Sequence, residues 1–436
     1  MGGDMPMTMT MSRRLVAVAT VTASLCSTNA VAQTTAEEIL RELVALRAEV
    51  RQLRQELDAL KAPPAPSLEV VEAQLAEMAQ TKVESTSRFP VKVFGTIHAH
   101  AFANSATPNW LDIPNLVSPP VPSPGTFSMA LRQSRLGFTA DGPTLGTVRT
   151  SAVVAFDFFG GIPGFQTGQV MGLPRLLVAF ARLDGERVAV QFGQDHVMLA
   201  PRDPTSLSGF AFPLLFRSGN LYLRAPHARV ELSVAPGLRV AGGIMAPIGG
   251  DLVGEDYRFV PPALGGERSE RPALQARIEL GTKDQDTVRR ATVGVAGHYG
   301  WERRAPGLAK GWAAAIDFGA RRDLLGVAGE MFVGDNADAF GGAAGLVARA
   351  AGGWAELQFM PTNRLAFHAG AGLDNITDAR RALVARRRNQ SAYGNVIVSV
   401  TPELQTSFEY RWLATVPLGA AERRNHHFDW VFAYKF

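Results

Sequence analysis

Arginine is the residue type with the most chemistry to offer in this chain. Of its 44 Lys+Arg only six are lysine (Lys61, Lys82, Lys92, Lys283, Lys310 and Lys435). A guanidinium is planar and donates hydrogen bonds in parallel pairs, which suits carboxylate and phosphate groups. Arg132, Arg135, Arg149, Arg187, Arg277 and Arg411 fall in or beside stretches of alternating polar and apolar residues, and Asp157, Glu279 and Glu409 lie in the same stretches. Asp195, Arg202, Asp203 and Arg217 fall in one long segment, Gln194–Gly219. Charges of this kind select ions when they surround a narrow aqueous passage, because confinement between low-dielectric walls amplifies the field. The competing role for any one of these arginines is to pair with a neighbouring acid and stiffen a wall.

Other chemistries find no complete set of groups. The eight histidines include His98 and His100, two apart and so on one strand face, and the adjacent His426 and His427, but no third metal ligand is evident. Asp195 and His196 are neighbours without a nucleophile. There is no G-x-S-x-G, H-E-x-x-H, phosphate loop or dinucleotide fingerprint, so neither an enzyme nor a cofactor is expected. A formal charge of +4, with no basic run interleaved with aromatics, argues against nucleic acid. The single cysteine, Cys26, lies in a segment expected to be removed, leaving no thiol.

That segment is an address. Arg13 and Arg14 precede an apolar stretch from Leu15 to about Leu25, and Ala30-Val31-Ala32 follows as a small-x-small cleavage site. Residues 1–32 therefore read as an export signal, with either Met1 or Met11 as the start. From Ala36 apolar residues recur at alternating spacings of three and four (Ile39, Leu43, Leu46, Val50, Leu53, Leu57 and Leu60), which predicts a coiled coil over 33–62 and hence an oligomer. This spacing does not decide between two strands and three. Pro63, Pro64 and Pro66 then open a linker, 63–90, with a second apolar set at Leu68, Val71, Leu75 and Met78 that predicts a short helix.

Beyond the linker the pattern predicts an all-β unit over 91–436, a 16-stranded antiparallel transmembrane β-barrel. Sixteen short β-rich segments run from 91–103 and 126–140 to 404–415 and 427–436. Their connections alternate between tight turns such as Asp141-Gly142, Asp184-Gly185, Pro236-Gly237 and Lys283–Asp286, and long loops such as 104–125, 160–174, 194–219 and 248–271. An even strand count leaves both chain ends, and the coiled coil with them, in the periplasm. In the last segment Phe428, Trp430, Phe432, Tyr434 and Phe436 share one face against Asp429, Val431, Ala433 and Lys435. Aromatics on an exposed face suit lipid better than a soluble sandwich. The alternation breaks near Arg135, Arg182 and Arg224, which predicts bulges or displaced strand ends.

The export signal, coiled coil, proline break and terminal Phe436 together resemble the DcaP-like trimeric outer-membrane porins. Leu131–Phe138 (LRQSRLGF), Asp157–Gly160 (DFFG) and Phe192–Asp195 (FGQD) resemble segments of that family. The resemblance implies a homotrimer in outer-membrane lipid and passage of small anionic solutes such as dicarboxylates. The aromatic terminus resembles the signal that the barrel assembly machinery reads, through Phe436. The phosphate-selective porins share this layout, but their binding site is lysine-rich and this chain has few lysines. The barrel region carries 35 Lys+Arg against 29 Asp+Glu, which predicts mild anion preference. The competing functions are an envelope-tethering structural barrel and an outer-membrane barrel enzyme.

Overall fold

The computed structural model describes residues 32–61, 90–119, 125–161, 172–248, 263–282, 289–304, 307–342, 345–346, 348–378, 383–384 and 386–436. The expected export signal apart from Ala32, nearly all of the expected 63–90 linker and the Lys283–Asp286 turn lie outside these residues. The chain divides into two units, Met1–Thr86 and Ser87–Phe436.

In the first unit one helix, α1, spans Ala32–Lys61. It stops short of Pro63, whose ring disfavours helical backbone in the residue before it. Leu43, Leu46, Val50 and Leu53 form an exposed stripe along it.

The second unit is a closed barrel of sixteen antiparallel strands in which each pairs with its neighbours in the sequence. The strands are β1 (Val91–Asn104), β2 in two pieces (Thr126–Ala130 and Arg135–Asp141), β3 (Arg149–Asp157), β4 (Arg175–Asp184), β5 (Val188–His196), β6 (Arg224–Ala235), β7 (Leu238–Met245) and β8 (Ala273–Gly281). They continue as β9 (Arg289–Arg304), β10 (Gly307–Arg322), β11 (Leu325–Asp335), β12 (Arg349–Phe359), β13 (Leu365–Ile376), β14 (Arg386–Ser399), β15 (Leu404–Pro417) and β16 (Arg423–Lys435). A two-residue ribbon, Gly345–Leu346 with Leu383–Val384, joins two long loops.

The barrel is inside-out. In β16 the aromatic face is exposed while Asp429, Val431 and Ala433 are buried, and in β8 Leu274, Ile278 and Leu280 are exposed while Gln275 and Arg277 are buried. Only a hydrocarbon surrounding makes this arrangement favourable, at about 25 cal/mol per Å² of apolar surface taken from water. No helix among the described residues is long and apolar enough to cross a membrane.

Closure sets large outward residues beside small ones. Phe428, Trp430 and Phe432 of β16 lie opposite Ala103, Ala101 and Ala99 of β1. Trp430 stacks on Phe408 of β15 at 5.6 Å between ring centroids. Phe436 and Gly95 exchange both backbone hydrogen bonds, at 3.0 and 3.1 Å. A Cβ on Gly95 would fall 2.4 Å from the Phe436 ring and 2.8 Å from the Arg135 carbonyl oxygen, so only glycine admits the terminal ring.

The three breaks in alternation have separate causes. Near Arg135 the strand β2 is interrupted at 131–134. On β4, Phe156 pairs with Leu176 and Ala155 with Val178, so Leu177 is bulged out of the ladder and Arg182 falls on the inward face. Near Arg224 there is no bulge: residues 220–223, expected in a strand from 220, belong to the preceding loop, and β6 begins at Arg224.

Gly95→Ala is expected to cost about 1–3 kcal/mol, since the seam has no room for a methyl group. The fraction of unheated protein migrating as folded barrel on a denaturing gel should fall for Gly95→Ala and for Phe436→Ala. An undiminished folded fraction for both would contradict this closure geometry.

Candidate constriction and its charged walls

The loop from 197 to 223 does not leave the barrel. It is buried along most of its length at Val197–Ala200, Leu207–Ser208, Leu214–Phe216 and Asn220–Tyr222. Its ends meet where the Val197 amide donates to the Leu223 carbonyl, 3.2 Å. Its apolar residues Leu199 and Leu221 pack on the small inward side chains Ala273, Ala296, Ala313, Ala315 and Ala350. A wall of bulky side chains would exclude them.

Polar groups fasten the loop around the lumen. The Met198 amide donates to Gln275 Oε1 on β8, 2.8 Å. Arg202 donates through its backbone to Glu330 on β11, 2.8 Å, and through its side chain to Asp317 on β10, 2.6 Å, and Thr292 on β9, 2.5 Å. The Thr205 amide donates to Glu356 on β12, 2.6 Å, and the Ser206 hydroxyl to Glu409 on β15, 2.6 Å. On the far side Gln133, in the interruption of β2, donates to the Ser208 carbonyl and accepts from the Phe210 amide, 3.1 and 2.9 Å. Arg175 on β4 donates to the Ala211 carbonyl, 3.0 Å. Leu215 and Arg217 sit at φ +63° and +62°, a region side chains rarely adopt. Asn389 holds the second of them by donating to the Arg217 carbonyl and the Ser218 hydroxyl, 2.9 and 2.8 Å. Gly219 presses against the backbone of Gly353, where a Cβ would lie 2.1 Å from the Gly353 carbonyl oxygen.

The loop after β1 also turns inward. Arg132 grips Asp112 of that loop with both arms of its guanidinium, and Arg411 donates to the Pro114 carbonyl, 2.8 Å.

The two halves of the wall differ in charge. Asp317, Glu330, Glu356 and Glu409, on β10–β15, are buried and engaged by the loop. The β2–β7 half carries Arg135, Arg175, Arg182, Arg224, Arg229 and Arg239. Arg175 pairs with Asp157, Arg182 with Asp184 and Glu231, Arg229 with Glu231, and Arg239 with Glu279. Among the described residues no carboxylate ion pair is found for Arg135 or Arg224. Arg135 lies on the Phe210 ring, 3.7 Å from its centroid, and donates to the Phe210 carbonyl. Arg224 meets His196 Nε2 at 2.9 Å. Asp203, in the loop, stays 39% exposed beside His196 at 3.9 Å. Enclosure by the barrel pushes its pKa up to about 6, against the opposing pull of Arg224 and Arg135.

The residues singled out from the sequence separate into three groups. Arg135, Arg202, Asp203 and Arg217 lie at the constriction. Arg132, Asp157, Arg277 and Arg411 sit in buried ion pairs, with Asp112, Arg175, Asp317 and Glu409 respectively. Arg149 and Arg187 are exposed at the tight-turn end of the barrel, at the start of β3 and in the turn before β5. Arg175, Arg224 and Arg229 were not among the residues singled out, and for Arg224 the sequence signal was the lost alternation. His98 and His100 do share the inward face, their rings stacked 5.9 Å apart, and His100 Nδ1 lies 2.9 Å from Asp429 Oδ2. No three metal-ligating side chains converge among the described residues.

A sixteen-stranded, inside-out barrel with a loop folded into its lumen defines the class: a porin-like outer-membrane channel fold. Within that class the fold is DcaP-like. It superposes on the outer membrane channel DcaP of Acinetobacter baumannii with a TM-score of 0.64, at 15% identity, over 81% of this chain and 99% of that one. OmpF of Salmonella typhi matches at TM-score 0.54 and 9% identity, over 79% and 97% of the two chains. OprB of Pseudomonas putida matches at 0.51 and 11%, over 83% and 97%. No family model and no curated protein matches the sequence.

Arg202→Ala removes the contacts to Asp317 and Thr292 while Arg277 still pairs with Asp317. Loop attachment should weaken by about 1–3 kcal/mol, as for a lost charged hydrogen bond. Single-channel recording should then show larger, noisier currents. Unchanged conductance and noise would show that Arg202 does not hold the loop.

Proposed function

We propose that the protein is a trimeric outer-membrane porin for passive diffusion of small hydrophilic solutes, with a mild preference for anions such as dicarboxylates. One observation carries the anion preference. The acids of the β10–β15 wall are engaged by the loop, whereas Arg135 and Arg224 have no carboxylate partner among the described residues. A guanidinium at a narrow, partly desolvated place attracts anions more strongly than it would in bulk water. The channel fold shared with DcaP, OmpF and OprB supports the transport reading.

The exposed 3-4 spaced stripe of α1 supports winding together of helices from several copies on the periplasmic side, and the trimeric count comes from the DcaP-like resemblance. The exposed aromatic face ending on Phe436 supports insertion by the barrel assembly machinery into outer-membrane lipid. Nothing in this reading requires a cofactor or nucleic acid.

Reversal potentials of the purified oligomer in a salt gradient test the proposal. Chloride preference is expected, and the double variant Arg135→Gln/Arg224→Gln should lower it. Cation preference in the wild-type channel would overturn the reading.

Asp203 adds a pH dependence. Its raised pKa means that it is largely charged at pH 7.5 and neutral at pH 5, so acidification removes a negative charge from the constriction. Anion preference should rise between those values, and Asp203→Asn should abolish the change. A pH response of the same size in Asp203→Asn would contradict the assignment.

A further inference from the structure

The outer wall carries a group of cations at its long-loop end, on and beside β8–β12. Buried Gly300, Glu302, Gly311 and Ala313 alternate with Tyr299, Trp301, Arg303, Lys310 and Trp312, which places these last five on the outer face of β9 and β10. Trp301 lies opposite Lys310, and Tyr299 opposite Trp312. Lys310 is the diagonal neighbour of Arg303, a relation that sets two residues about 7–8 Å apart. Arg271, just before β8, lies 5.5 Å from the Trp301 ring centroid, and Arg349, at the start of β12, lies 5.9 Å from that of Trp312. Tyr299 and Trp301 meet edge to face at 5.0 Å. Arg303 Nε donates to the Arg268 carbonyl, 2.8 Å, which holds its guanidinium at the rim.

The charge of this group is poorly balanced. Arg349 pairs with Asp335 at 3.4 Å, but among the described residues no carboxylate ion pair is found for Arg271, Arg303 or Lys310. Elsewhere on the wall Arg388 and Arg424 share Glu422, at 3.5 and 2.6 Å. Toward the same end of β2–β7 the outer face shows Met129, Phe158, Leu176, Phe192 and Ile244 instead. Below the cations the face continues as exposed Val293, Val295 and Ile316. Charges on a lipid-facing wall are tolerated at head-group level, and Trp and Tyr mark that level. Cations clustered there attract anionic lipid, and a phosphate accepts several charge-assisted hydrogen bonds at once. The patch thus sets cations for a phosphate directly above apolar surface for acyl chains.

We propose that this patch is a binding site for a phosphorylated glycolipid of the external leaflet. Arg303 and Lys310 bridge one phosphate group, with Arg271 and Arg349 as flanking cations, and the acyl chains lie along Val293, Val295 and Ile316. The inference concerns the outer wall and does not depend on the ion preference of the pore.

The test is native mass spectrometry of the purified oligomer in detergent, titrated with bisphosphorylated lipid A and with the same lipid A after enzymatic removal of its phosphates. The wild type should retain the phosphorylated form with about tenfold higher apparent affinity, the size of one charge-assisted contact. Arg303→Gln/Lys310→Gln should bring the two lipids close together, while Arg388→Gln/Arg424→Gln keeps the preference. Equal retention of both lipids by the wild type overturns the inference, as does an undiminished preference in Arg303→Gln/Lys310→Gln. An equal fall in Arg388→Gln/Arg424→Gln marks a general effect of charge and overturns the site. Displacement of the lipid by an equal concentration of inorganic phosphate marks a free-phosphate site and overturns the lipid assignment. If the first double variant does not assemble, Lys310→Gln alone takes its place.

Discussion

Four buried carboxylates, Asp317, Glu330, Glu356 and Glu409, face inward from β10, β11, β12 and β15. Each must find donors, since a buried carboxylate without them is strongly unfavourable. The loop supplies donors to all four through the Arg202 backbone and side chain, the Thr205 amide and the Ser206 hydroxyl. The wall is completed by the loop, and the loop is shaped by the wall. Two consequences follow together. The lumen narrows, and the negative charge on that side becomes engaged in internal hydrogen bonds. What stays open to solutes is the opposite half, where arginines predominate at the narrow level.

The same constraint explains why conserving wall volume matters as much as charge. Leu199 and Leu221 of the loop rest on alanines at 273, 296, 313, 315 and 350, and Gly219 lies flat on Gly353. A constriction loop needs both small residues beneath it and anchors along its course. On the outer face the logic reverses: β16 presents large aromatics, and alanines of β1 provide the flat bed beside them.

The barrel was legible in the sequence because alternation and turn chemistry are local signals. Asp184-Gly185 and Pro236-Gly237 mark tight turns, and the 428–436 aromatic run marks a lipid face, with no long-range information needed. The site was only partly legible. Arg411 and Arg217 are both arginines among alternating or loop residues, yet Arg411 is 2% exposed against Glu409, while Arg217 stays partly exposed on the inward loop. That difference depends on loops that approach the wall from distant parts of the sequence. Arg224 was hidden for the same reason. It stands where the inward loop rejoins the sheet, so its side chain belongs to neither strand periodicity nor loop composition. The helix α1 was legible as a 3-4 repeat.

The central claim is that segment 197–223 lies inside the conducting path with an arginine-dominated field around it. The protein has one cysteine, Cys26, and it lies outside the barrel strands, so a cysteine placed at position 203 is a clean probe of the barrel. The measurement is the rate at which Asp203→Cys reacts with a negatively charged methanethiosulfonate relative to a positively charged one, read as a stepwise change in single-channel current. The account predicts that both reagents alter the current and that the anionic reagent reacts faster. A current indifferent to both reagents, with the thiol shown to be labelled, would place the loop outside the path and contradict the account.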